Sequence, residues 1–336
     1  TAIIMPFFMF SVVLADTIGQ VQVFNINETF DGFSRKSASA TLRHIGGDAY
    51  FYVDDKFWDS LNFNGKSGIS DGIIKLSDEF DNNVYPKETS FWGSEPNPGI
   101  DGDIRIVILL EELKPGHGGY FSTSNGYPKS DDPKSNEREM VIINAEAVLG
   151  SYAKIFLAHE FQHLASFNQK ELLRNVSDDV WFNELRSEYS ITQVGYNDFF
   201  TGSNIERRAE TFFENPSDSL TEWPNVGLDY ALAAIFGEYL TEQYGVDLLR
   251  ESLQTNLFGI PSINGILTGR GISERFTDVF AGWLAASYIN DNSVNSKFGY
   301  ARLGLKNFKT PSQRLTILSG SESSVFDYYL KPWQVY

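Results

Sequence analysis

The sequence predicts an α+β protein in two lobes, β-rich over residues 16–145 and mainly helical over 146–336. Three observations support this. As far as Asn144 the apolar segments are short, rich in β-branched and aromatic residues, and separated by Gly, Asn, Asp and Pro. From Ala145 onward the apolar residues recur at helical spacing. With 42% hydrophobic and 15% aromatic residues in 336, the chain has ample apolar surface to offset the entropy of folding. Its length suggests about two domains, or one domain in two lobes. No internal repeat, low-complexity tract or single linker divides it.

The first element is an apolar run, Ile3 to Ala15, ending in Val13-Leu14-Ala15 before the polar Asp16. It has the pattern of the hydrophobic region and small-residue cleavage site of a secretory signal, and it is shorter than the roughly 20 residues that span a bilayer. Residues 1–15 are therefore expected to be a signal peptide, and the mature chain to be secreted or at the cell surface, extracellular or periplasmic. Neither Met nor basic residues precede the run, so the leader is expected to be truncated at its start.

Ala49 to Val53 and Ile104 to Leu110 read as strands, the second apolar nearly throughout, as in a strand buried on both faces. Asp54 to Asp59 and Asp71 to Val84 read as helices, the latter capped by Ser70 or Asp71. Lys114 to Asn136, crowded with Gly, Ser, Pro, Asn and Asp, is a long loop of the kind that carries function. Met140 to Asn144 is a short strand leading into the next helix, Ser151 to Gln169. Further helices are expected at Val180 to Val194, capped by Ser177 or Asp178 and stopped at Gly195, and at Leu228 to Tyr244, stopped at Gly245. Val246 to Thr255 and Ser273 to Ile289 complete the helical pattern.

Charge and cysteine content narrow the chemistry. The balance of 27 Lys and Arg against 44 Asp and Glu gives −17, which repels a polyanion such as DNA over most of the surface. Nucleic acid is not an expected partner. There is no cysteine, so a transition metal has to be held by His and carboxylate.

Only four histidines are present, and two stand in His159-Glu160-Phe161-Gln162-His163. On a helix, positions i and i+4 share a face, so both imidazoles can reach one metal ion, with Glu160 on the same side as a candidate base. A catalytic zinc site takes a third protein ligand and leaves a fourth position open. Ser166 and Gln169 stand where one subclass of such proteins has a Gly and a further His, so the third ligand is sought elsewhere. Asn183-Glu184-Leu185-Arg186-Ser187-Glu188 lies on the next helix, with Glu184 and Glu188 again on one face. One carboxylate can bind the metal while the other accepts the free ring N–H of a ligand histidine.

The two segments together resemble the zincin metallopeptidases whose third ligand is glutamate, the thermolysin-like or gluzincin group. There His-Glu-x-x-His is followed one helix later by Asn-Glu-x-x-Ser-Asp. The resemblance implies His159, His163 and Glu184 as zinc ligands, Glu160 as general base, and Glu188, in place of Asp, as the carboxylate behind a ligand. The stretch Trp181-Phe-Asn-Glu-Leu-Arg-Ser-Glu-Tyr189 is more closely similar to the hyicolysin-like secreted peptidases of bacteria. Gly119-Tyr-Phe121, Ser135-Asn-Glu137 and Asp229-Tyr230 through Tyr239-Leu240 add to the likeness, which is strong over 140–245. Such proteins usually carry Gly after the Asn-Glu pair, where this chain has Leu185. The resemblance also implies a zincin-like fold with the active site between the lobes, and Met140 to Asn144 in the place of the edge strand.

The activity so implied is hydrolysis of peptide bonds by a zinc-activated water, with one Zn²⁺ per chain and a polypeptide substrate bound in extended conformation. Tyr230 is a candidate to stabilise the oxyanion. His117, in the Gly-rich loop, is an alternative, though an exposed loop histidine is the plainer reading. Asp101 with Asp103 and Asp131 with Asp132 lack the spacing of a calcium loop and read as solvated turns. Two rival functions stand beside the peptidase. One is an inactive surface-binding or adhesin module on a zincin scaffold, against which the intact base argues. The other is a zinc amidase acting on a non-protein amide.

Overall fold

The computed structural model describes residues 15–310 and 329–334. All of the expected signal segment except Ala15 lies outside them. The strands, in chain order, are β1 (Val21–Asn25), β2 (Ser37–Ile45), β3 (Ala49–Asp54), β4 (Ile106–Glu111), β5 (Gly119–Phe121) and β6 (Met140–Asn144). The helices are α1 (Asp55–Ser60), α2 (Phe63–Glu79), α3 (Tyr85–Trp92), α4 (Tyr152–Ser166), α5 (Val180–Gln193), α6 (Asn204–Glu214), α7 (Gly227–Tyr244), α8 (Asp247–Leu253), α9 (Gly259–Gly269) and α10 (Phe276–Ile289). The protein is thus α+β, with its sheet in the N-terminal part and a mainly helical C-terminal part, as the sequence predicts. The chain divides into two compact units, Thr1–Asn82 with Pro96–Lys154, and Asn83–Glu95 with Ile155–Tyr336.

In the first unit the six strands form one sheet in the order β1-β2-β3-β4-β6-β5. β3, β4 and β6 run parallel in its middle, while β1, β2 and β5 pair antiparallel. Every residue of β3 and β4 is buried, which accounts for their unbroken apolar sequence. Tyr52 pairs with Leu109 and Leu109 with Ile142, so these side chains share a face and pack with Phe24, Leu42 and Tyr120. Met140–Asn144 is not the edge strand: β5 covers it, with Tyr120 opposite Ile142. Three residues in a Gly- and Ser-rich loop are too few to show the alternation that marks a strand.

The second helix also departs from expectation. It starts at Phe63, capped by Asn62, whose side chain accepts from the Gly65 amide. Gly65, Gly68 and Gly72 hide this start because glycine disfavours helix interiors. Gly72 is required by packing: a Cβ there would lie 2.6 Å from both the carbonyl oxygen and Cγ1 of Val148.

The second unit is built around α7, most of whose residues are buried on every face. Trp181 of α5, Phe236 of α7 and Phe276 and Trp283 of α10 meet in one aromatic cluster. The α5 N-cap is Asp179, with no side-chain cap bond, rather than Ser177 or Asp178. Asp178 is instead committed to the fully buried Arg186, at 2.7 Å, and to the Gly259 amide. Arg186 needs that partner, because an unpaired charge inside a core costs far more than a cap returns.

Candidate metal centre

α4 and α5 place the expected side chains together. Leu157, Ala158, Phe161, Leu164 and Ala165 bury α4, and Ser190 of α5 donates to the Ala158 carbonyl oxygen. α5 packs in turn on α7, where Leu185 lies over Gly237: a Cβ there would meet Leu185 Cγ and Cδ2 at 3.3 Å. The side chain that departs from the Asn-Glu-Gly pattern thus fills a space that Gly237 leaves open.

Among the described residues, His159, His163 and Glu184 form the one group of three or more His, Asp or Glu side chains whose donor atoms all lie within 4.8 Å of one another. His159 Nε2 is 3.1 Å from Glu184 Oε2, His163 Nε2 is 3.2 Å from His159 Nε2, and His163 Nε2 is 3.4 Å from Glu184 Oε2. For a tetrahedral ion with ligand bonds of about 2.0–2.1 Å, neighbouring donors stand about 3.3 Å apart. The three separations fit that figure, and two imidazoles with one carboxylate fit the donor chemistry of zinc.

Both imidazoles are held from behind. His163 Nδ1 lies 3.1 Å from Ser187 Oγ, which donates to Gln162 Oε1 at 2.6 Å. A hydroxyl that gives its proton to Gln162 can only accept from His163, which puts the ring proton on Nδ1 and turns the Nε2 lone pair toward Glu184. His159 Nδ1 lies 3.5 Å from Glu188 Oε1. Glu188 is buried, and it accepts from Arg208 and from Asn204.

Arg208 and Asn204 were not among the candidates, because α6 was not expected. Its signal was legible: Ser203 caps the Glu206 amide in the Ser-x-x-Glu pattern that opens many helices.

The charges around the centre shape its carboxylates. Burial pushes Glu160 up to about 8, with His163 pulling it down and Glu184 and Glu188 adding to the rise. Burial acts upward on Glu184 too, but His163 and His159 hold it well below the usual carboxylate range. For Glu188, Arg208 and His159 outweigh the burial and keep it low. Tyr230, half-buried on α7, has its ring centroid 6.1 Å from that of His159. Burial, then Glu184, Glu160 and Glu188, raise its phenol well above the ordinary value.

The other candidates are not members of this group. His117 belongs to the first unit, edge-on to Phe30 at 5.0 Å. Asp103 accepts from Tyr50 and the Arg105 amide, and Asp132 from Ser124 and the Lys134 amide, as turn residues do. No helix among the described residues is long and apolar enough to cross a membrane.

No family model matches the chain. It is similar to the neutral metalloprotease ShpI of Staphylococcus hyicus, with 29% identity over 232 residues that cover 58% of this chain and 50% of that protein. The chain therefore spans half the length of the curated relative it matches. By this likeness it is a distant homologue of a metalloprotease.

Proposed function

We propose that the chain is an extracellular zinc peptidase of the gluzincin type, nearest in its site to the hyicolysin-like enzymes, and that it hydrolyses polypeptides bound in extended conformation. The convergence of His159, His163 and Glu184 at 3.1 to 3.4 Å carries this reading. The apolar leader supports an extracellular location, and the relative's name supports a peptide substrate.

When bound, zinc supplies Lewis acidity, which polarises a scissile carbonyl and lowers the pKa of water. Glu160 accepts the proton of the attacking water at its carboxylate and delivers it to the leaving amine. Tyr230 donates its hydroxyl to the oxyanion, Glu188 accepts from His159 Nδ1, and Ser187 accepts from His163 Nδ1. A binding module has no use for Glu160, which favours a hydrolase.

The expected result of elemental analysis is about one zinc per chain. A chelator abolishes hydrolysis of casein and gelatin, and zinc restores it. A purified chain that holds no zinc and takes none up contradicts the proposal. Hydrolysis of peptidoglycan but of neither protein replaces it with the amidase.

A further inference from the structure

Tyr230 has one hydroxyl proton, and an oxyanion donor must have that proton to give. In the structure it is already given, to Asn225 Oδ1 at 2.7 Å. The phenol ring is fixed on several sides. His159 flanks it, Trp223 meets it edge-on with centroids 5.1 Å apart, and the Arg208 guanidinium carbon lies 5.0 Å over it. What remains to be set is the direction of the O–H bond, and Asn225 sets it.

Asn225 is built for that contact. Its φ is +64, in the left-handed region that most side chains avoid and that Asn tolerates. The backbone beyond it is locked, because the Val226 amide donates to Asp229 Oδ2 at 2.7 Å and the Asp229 amide to the Val226 carbonyl oxygen at 3.0 Å. This lock at the start of α7 points the Asn225 amide at the side chain five residues on. Asn225 is also exposed. When the phenol proton leaves, water can satisfy Oδ1, so release leaves no buried acceptor unpaired.

We propose that Asn225 restrains Tyr230: it holds the one O–H in the resting chain and yields it to the substrate's carbonyl oxygen only as negative charge develops there. Only hydrogen bonds exchange; no covalent bond forms or breaks in the hand-over. The inference rests on the reading of Tyr230 as oxyanion donor.

Asn225→Gly separates the bond from the backbone, since glycine keeps a positive φ and loses the amide. With dye-labelled casein as probe, Asn225→Gly raises kcat severalfold with KM nearly unchanged, and Asn225→Asp, which keeps an acceptor, shows no such rise. In a Tyr230→Phe background Asn225→Gly changes nothing further. Wild-type or lowered kcat in Asn225→Gly, or an equal change in the Phe background, overturns the proposal while leaving Tyr230 its role. Wild-type kcat in Tyr230→Phe removes both. A second readout needs no turnover: in ¹³Cζ-tyrosine NMR spectra of the metal-free protein, the signal missing from Tyr230→Phe shifts in Asn225→Gly. A signal that stays in place overturns the proposal even in a chain that hydrolyses nothing.

Discussion

Arg208 grips Glu188 by both carboxylate oxygens, Nε to Oε2 at 2.9 Å and Nη2 to Oε1 at 2.5 Å, and that same Oε1 lies 3.5 Å from His159 Nδ1. A cation from α6 thus neutralises the buried carboxylate that stands behind a candidate metal ligand. Removing it leaves Glu188 buried, with the Asn204 amide and His159 as its neighbours and no guanidinium to balance its charge. Arg208→Ala is expected to weaken zinc binding by about 10- to 100-fold, as changes behind a ligand do. It is also expected to cost about 3–5 kcal/mol of stability, the penalty for an orphaned buried charge. Competition against a chelator of known affinity measures the first and urea unfolding the second. Unchanged zinc affinity would show that Glu188 does not act on His159.

Gly72 gives a prediction that runs against helix propensity. Alanine improves an exposed helix interior by about 1 kcal/mol over glycine. Here its Cβ would come within 2.6 Å of Val148, backbone included, and backbone cannot step aside as a flexible side chain can. Gly72→Ala is expected to destabilise the fold by about 1–3 kcal/mol, the range for overpacking. A raised urea midpoint would mean that α2 does not press on the turn at Val148.

Stability is expected to depend on pH through Glu111. It is buried at the end of β4, where Tyr120 donates to its Oε2 at 3.3 Å and its Oε1 has no partner. The Arg35 guanidinium, whose charge pulls Glu111 down, is engaged by Asp31 and Asp54. Burial and the Asp31 charge push Glu111 up to about 8, against an ordinary value of 4.5. Between those values the folded chain holds a proton that the unfolded chain has released. Stability from this group is therefore full below 4.5, falls as pH rises, and levels off above about 8. Glu111→Gln removes the titration, so its urea midpoint should match wild type near pH 5 and exceed it at pH 9. Parallel midpoint curves for the two proteins would contradict this.

The candidate metal-holding side chains were legible in the sequence because His159 and His163 stand four residues apart, and helix geometry puts such a pair on one face. The strands of the sheet centre were legible for a similar reason: burial on both faces leaves an unbroken apolar run in β3 and β4. What was missed depends on contacts distant in sequence. β5 exists because Met140–Asn144 offers an edge to pair with, not because Gly119–Phe121 prefers a strand. The start of α2 is glycine-rich, which a reading of propensity takes as a loop, and one of those glycines, Gly72, stands where a Cβ would collide with the distant Val148. Asn204 and Arg208 carry no sign of a role until α6 brings them to Glu188.

The central proposal is that three side chains hold the ion while Glu160 moves the proton, and one substitution separates those tasks. Glu160→Gln keeps the shape of the side chain and leaves His159, His163 and Glu184 in place, so the variant should bind about one zinc per chain and unfold at the wild-type midpoint. Its kcat on casein should fall by about 10²- to 10⁴-fold, the usual contribution of a general base, with KM nearly unchanged. Wild-type kcat from a zinc-loaded Glu160→Gln protein, free of contaminating protease, would place the chemistry elsewhere and leave this metal centre a structural one.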